Sequence, residues 1–135
     1  MVKDKNSVLK LDFDTKSFAL VLREFTRAKY LNWRVFGAQN VRCCKTARGF
    51  HVQVFCGRHF EFKELVFFQA LMGSDKNREY LNWCRAKNGL NEKWNYLFVK
   101  KYKIVGRGKA FKVSEEKYLS KESRLLFLAL QKKGG

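Results

Sequence analysis

The 135-residue chain has no proline, no Cys-x-x-Cys pair, no Gly/Ser-rich linker and only 12 acidic residues, and each shortage narrows what it can be. With no proline, linker or internal repeat, nothing marks an internal boundary or a solenoid period, so residues 1–135 read as one domain around one core. The four cysteines, Cys43, Cys44, Cys56 and Cys84, lack zinc-ligand spacing, and His51 and His59 supply none. Cys43 and Cys44, adjacent on a strand, point to opposite faces, which favours buried, reduced thiols. No apolar run approaches the roughly 18 residues of a spanning helix. The segment Met1 to Ser7 lacks the apolar stretch of a signal peptide, so the expectation is a cytoplasmic protein without a membrane partner.

What the chain does have is enough apolar surface to fold and a large excess of positive charge. Hydrophobic residues make up 46% and aromatics 16%, which separates it from a disordered basic tail. Lys and Arg number 29 against the 12 acids, a net charge of +17. Such self-repulsion disfavours compaction unless a polyanion is close by, and a nucleic-acid backbone is the commonest one.

Val8 to Asp14 alternates Leu9, Leu11 and Phe13 with Lys10, Asp12 and Asp14, the period of a half-buried strand. Phe18, Val21, Leu22 and Phe25 then recur at helical spacing, predicting an amphipathic helix from about Lys16 to Ala28 with Asp14 or Thr15 at its entry. Asn40–Lys45 and Gly49–Cys56 read as a hairpin linked by Thr46, Ala47 and Arg48. Phe62 to Met72 reads as a helix stopped at Gly73, and Ser74 as the cap of another reaching Lys87. A strand is expected within Tyr96 to Val105, then a loop at Gly106 to Lys109. A C-terminal helix is expected to begin at Ser114, Glu115 and Glu116 and to carry Leu119, Leu126 and Leu130. The order predicts an α+β domain, helices on one face of a mainly antiparallel sheet and the other face open.

Asp12 and Asp14, two residues apart on a strand, project from the same open face, where two close carboxylates suit a hard cation, Mg²⁺ or Mn²⁺. The alternative is that they end the strand and cap the helix. By the same alternation His51 falls on the face opposite Val52 and Val54 and can meet both acids in one cleft. Lys45, Thr46 and Arg48 precede it and add donors for a triphosphate or a nucleic-acid backbone.

Leu11-Asp12-Phe13-Asp14, the amphipathic helix after it, and Lys45-Thr46-Ala47-Arg48-Gly49-Phe50-His51-Val52 together resemble the first two motifs of the archaeo-eukaryotic primase (primase-polymerase) superfamily. The resemblance covers about the first 55 residues. It implies an RRM-like, ferredoxin-like core over about residues 8–105, with a basic loop and helix over 106–135. It also implies that Asp12 and Asp14 bind metal and that His51 contacts an incoming nucleoside triphosphate. The family draws a third acid from a later strand, but Tyr96 to Val105 contains none; Asp75 is the nearest substitute, with Glu61 and Glu64 behind it.

Lys100, Lys101, Tyr102, Lys103, Arg107, Lys109, Phe111 and Lys112 mix phosphate-binding and stacking groups and form the expected nucleic-acid track. Arg23, Arg27, Lys29, Tyr30, Trp33 and Arg34 can extend it, whereas Trp33, Trp83 and Trp94 are expected chiefly as core. The sequence thus points to a nucleic-acid-binding protein, DNA favoured, with a primase-polymerase-like core acting in replication or repair. Metal-dependent nucleotidyl transfer would then fall to Asp12, Asp14 and His51. A non-catalytic single-strand-binding module and a metal-dependent nuclease are the alternatives, and a basic inhibitor docking on a host protein is a further one.

Overall fold

The computed structural model describes residues 6–95, 100–105 and 109–131, with side chains over 6–95 and 116–131. Strand β1 (Val8–Phe13) leads into helix α1 (Phe18–Arg27), a short helical turn α2 (Lys29–Leu31) and a π-helical turn (Asn32–Phe36). The hairpin β2 (Asn40–Lys45) and β3 (Phe50–Phe55) follows, then helices α3 (Phe62–Leu71) and α4 (Lys76–Lys87). After a 3₁₀ turn come β4 (Lys100–Val105), β5 (Lys109–Glu115), β6 (Lys117–Tyr118) and α5 (Ser120–Gln131).

The protein is α+β, with an antiparallel four-stranded sheet in the order β1-β3-β2-β6; β4 and β5 pair separately as a two-stranded hairpin. β1, α1 and the β2–β3 hairpin make the split βαβ arrangement of ferredoxin-like folds, with β3 inserted between β1 and β2. The fourth strand lies beside β2. Leu9, Leu11 and Phe13 line up with Val54, Val52 and Phe50 on one sheet face, joined by Val41 and Cys43. Val21 and Phe25 of α1 and Leu126 and Leu130 of α5 close over that face in a single core.

Helices α3 and α4 lie at the outer edge of β1, where another strand would otherwise pair. Lys10 N–H donates to Gln69 Oε1 (2.9 Å), and the Arg78 guanidinium donates to the Lys10 carbonyl (2.7 Å). Asp12 N–H donates to Ser74 Oγ (2.9 Å), and Asp75 N–H donates to the Asp12 carbonyl (2.6 Å). Four outward backbone groups of an edge strand are thereby satisfied without a neighbouring strand. Behind them a buried polar network joins the two helices. Gln69 Nε2 donates to Glu79 Oε1 (2.8 Å), Ser74 Oγ to Glu79 Oε2 (2.6 Å) and Asn95 Nδ2 to Gln69 Oε1 (2.7 Å), and Arg78 pairs with Glu79.

Three expectations change. The C-terminal helix starts at Ser120, because 109–115 and 117–118 are strands; Phe111 and Val113 carry a period-two signal that the Ser-Glu-Glu cap pattern outweighed. Asp75 caps α4, its carboxylate accepting from Arg78 N–H (3.0 Å), while Ser74 is committed to β1. Trp33, Trp83 and Trp94 are all exposed, their places in the core taken by phenylalanines: Phe36, Phe60 and Phe68 meet edge to face.

Candidate functional site

Antiparallel pairing sets one row of side chains across the sheet face that α1 and α5 leave uncovered. Asp12 is opposite His51, His51 opposite Cys44, and Cys44 opposite Tyr118, so four strands contribute one residue each. Lys10, Gln53 and Arg42 form the next row on the same face. The alternation read from the sequence therefore places Asp12 and His51 together.

His51 is buried and sits between two carboxylates. Its Nδ1 lies 2.7 Å from Glu116 Oε2 and its Nε2 3.5 Å from Asp12 Oδ1. The short contact with Glu116 fixes the ring plane and turns Nε2 toward Asp12. Glu116 is an acid that the sequence reading did not single out for the site. It lies in the one-residue gap between β5 and β6, a position read from sequence as the first turn of a helix.

Burial pushes the Asp12 carboxyl up from the ordinary range; His51 and Arg78 oppose that shift, and the nearby Asp75 and Asp14 carboxylates reinforce it. A carboxyl whose pKa is raised by folding costs nothing while both states are protonated. It costs stability as pH rises through the ordinary value of about 4, and in full above the folded value. Asp12→Asn is therefore expected to raise the melting temperature by about 1–2 °C at pH 7, with the gain vanishing toward pH 3. Thermal melts at the two pH values check this, and a variant less stable than the parent at pH 7 would contradict it.

Asp14 lies exposed beyond the end of β1. Lys45 falls in the row of Phe50, on the opposite side of the sheet from His51. The Thr46 hydroxyl accepts from Gly49 N–H (3.0 Å) and so closes the hairpin turn, while Arg48 projects from that turn. The expected grouping of Lys45, Thr46 and Arg48 around His51 is therefore not formed, because one residue of register reverses the face. Asp75 is at the α4 cap, and Glu61 and Glu64 form a reciprocal capping box at the start of α3. Arg107 and the side chains of Lys100, Lys101, Tyr102, Lys103 and Lys109 lie outside the described residues.

The donors do not make a two-ion centre as placed. Asp12 and Glu116 address the two nitrogens of one imidazole, and among the described residues no three His, Cys, Asp or Glu side chains are arranged to hold a metal ion. What the site offers is an oriented imidazole between two carboxylates, with Arg42 stacked 5.0 Å over the Tyr118 ring beside it. Tyr118 is 52% exposed. In sequence the charge is one-sided: from Thr15 to Phe60 the only acid is Glu24, against Lys16, Arg23, Arg27, Lys29, Arg34, Arg42, Lys45, Arg48 and Arg58. No helix among the described residues is long and apolar enough to cross a membrane. No family model, curated protein or solved structure matches the chain.

Proposed function

We propose that the protein binds nucleic acid, with DNA favoured, through the open face of the four-stranded sheet, and that it serves DNA replication or repair. The observation that carries this reading is the exposed Tyr118 ring with the Arg42 guanidinium over it, at the end of the row Asp12, His51 and Cys44 on the sheet face opposite α1 and α5. A flat sheet presenting an aromatic ring and a guanidinium, in a chain of net charge +17, supplies base stacking and phosphate neutralisation together. The placement of Asp12 beside His51 also supports a primase-polymerase-like site, with a nucleoside triphosphate as a second ligand. Binding is put first because the exposed Tyr118 ring and the Arg42 guanidinium over it suit base stacking and phosphate contact.

Fluorescence anisotropy with a labelled single-stranded oligonucleotide tests the reading. Binding should persist in EDTA, and a footprint of about four phosphates should lose about fiftyfold in affinity between about 50 and 200 mM salt. Arg42→Gln with Tyr118→Ala should weaken it by about tenfold or more, whereas Asp12→Asn should leave it nearly intact. No binding by the unaltered protein at low salt would end the proposal. Mn²⁺-dependent primer extension abolished by Asp12→Asn or Glu116→Gln would replace a binding role with a catalytic one.

A further inference from the structure

The outer surface of α1 and the π-helical turn lies on the other side of the molecule from the Asp12–His51 row. Val21 and Phe25 direct the inner side of α1 into the core that covers the apolar sheet face, so its outer side faces away from the open one. The π turn closes where Gly37, at φ 56°, donates its N–H to the Asn32 carbonyl (2.9 Å). Asn32 is buried and anchored: Nδ2 donates to the Leu130 carbonyl (3.1 Å), and Oδ1 accepts from Ala38 N–H (2.7 Å). Phe36 turns fully inward. Trp33 and Arg34 are left outward, and a π turn is a device often found where side chains are re-aimed for function.

There Tyr30 is 60% and Trp33 63% exposed, with ring centroids 6.0 Å apart. Arg34 lies over both rings, 5.7 Å from Tyr30 and 5.1 Å from Trp33, and its Nε donates to the Tyr30 hydroxyl (3.1 Å). Arg23 and Arg27 precede Tyr30 at steps of four and three residues, which puts them on the same side of the helical run. Among the described residues, only Arg27 of these has a carboxylate partner, Glu24 at 3.6 Å. Two large rings held in water by a guanidinium, next to two further arginines, match an unpaired base and its phosphates; a duplex keeps its base faces stacked inside.

We infer that Tyr30, Trp33 and Arg34, with Arg23 and Arg27, form a second nucleic-acid surface, specific for single strands, so that one molecule can hold two segments on opposite sides. This rests on the nucleic-acid reading above and adds the substrate class and a second site. Titration of the full chain with oligothymidylate and oligouridylate of about eight nucleotides, and with a duplex of the same length, tests it by intrinsic tryptophan fluorescence and by stoichiometry.

The expected results are two short single strands per protein, falling to one in the Tyr30→Ala, Trp33→Ala variant, with about tenfold or more loss of affinity for the missing site. Trp33→Phe should keep most of the binding, since a stacking face remains. Both rings are exposed, so the alanine variants should melt at the parent temperature. Binding of single strands that is unchanged in the double variant overturns this inference and leaves the sheet-face reading standing. Equal affinity of this surface for duplex also overturns it. Absence of binding by any oligonucleotide overturns both.

Discussion

Glu79→Ala is expected to destabilise the protein by about 3–5 kcal/mol, a large part of the roughly 5–15 kcal/mol available to a domain of this size. Glu79 is buried, and its carboxylate accepts from Gln69 Nε2 (2.8 Å), Ser74 Oγ (2.6 Å) and Asn82 Nδ2 (3.2 Å) while pairing with Arg78. Alanine leaves those donors without that acceptor inside the protein, and an unpaired buried group costs more than a hydrogen bond gains. Glu79→Gln retains one acceptor oxygen and should lose about half as much. Urea titration gives the answer through the midpoint at constant slope. A loss below about 1 kcal/mol would mean that water replaces the carboxylate there. The effect should reach the candidate site as well, because Ser74 and Asp75, which lie in this network and at its edge, hold both backbone groups of Asp12.

Gly49→Ala is expected to cost about 3 kcal/mol, at the upper end of overpacking penalties. A Cβ at Gly49 would lie 1.9 Å from the Phe13 carbonyl oxygen and 2.8 Å from both the Thr15 nitrogen and the Thr15 oxygen. All three are main-chain atoms, so no side-chain rotation relieves the overlap. Either the end of β1 or the turn entering β3 must move, and those segments carry Asp12, next to Phe13, and His51, two residues after Gly49. The variant should therefore lose stability and also open the His51 to Asp12 spacing. Nuclear magnetic resonance of the His51 ring protons, compared with the parent, reads the second effect. A variant with parental melting temperature and unchanged ring signals would show that the close approach is not required.

The first half of the fold was legible because its signals are local. Leu9, Leu11 and Phe13 alternate, Phe18, Val21, Leu22 and Phe25 follow helical spacing, and the hairpin turn carries Thr46 and Gly49; the observed elements lie within two residues of those readings. Strand parity likewise sufficed to put Asp12 and His51 on one face. Glu116 was not legible, since a carboxylate after Ser114 and Glu115 has the composition of a helix entrance, and only the non-local pairing of β6 with β2 brings it to His51. Gln69, Glu79, Asn82 and Asn95 are buried for the same kind of reason. Each reads as a solvent-facing polar residue on its own, and only the meeting of α3, α4 and the 3₁₀ turn supplies the partners that make burial tolerable. Trp33 was misjudged because ring size argues for burial, whereas the π turn determines which way it faces.

Near both margins of the sheet, outward main-chain groups are already taken. Beside β1, residues of α3, α4 and the turn between them occupy the outward amide and carbonyl groups of Lys10 and Asp12. Beside β2, pairing with β6 covers only Cys44 and Lys45, after which Leu119 N–H donates to the Cys43 carbonyl (2.9 Å) and Cys43 N–H donates to Ser123 Oγ (2.7 Å). At these positions a second chain finds no free ladder to extend. The four-stranded sheet is thereby guarded against the end-to-end strand joining that seeds fibrils, and a peptide cannot dock there by adding a strand. At these positions, recognition of the sheet falls to its side chains.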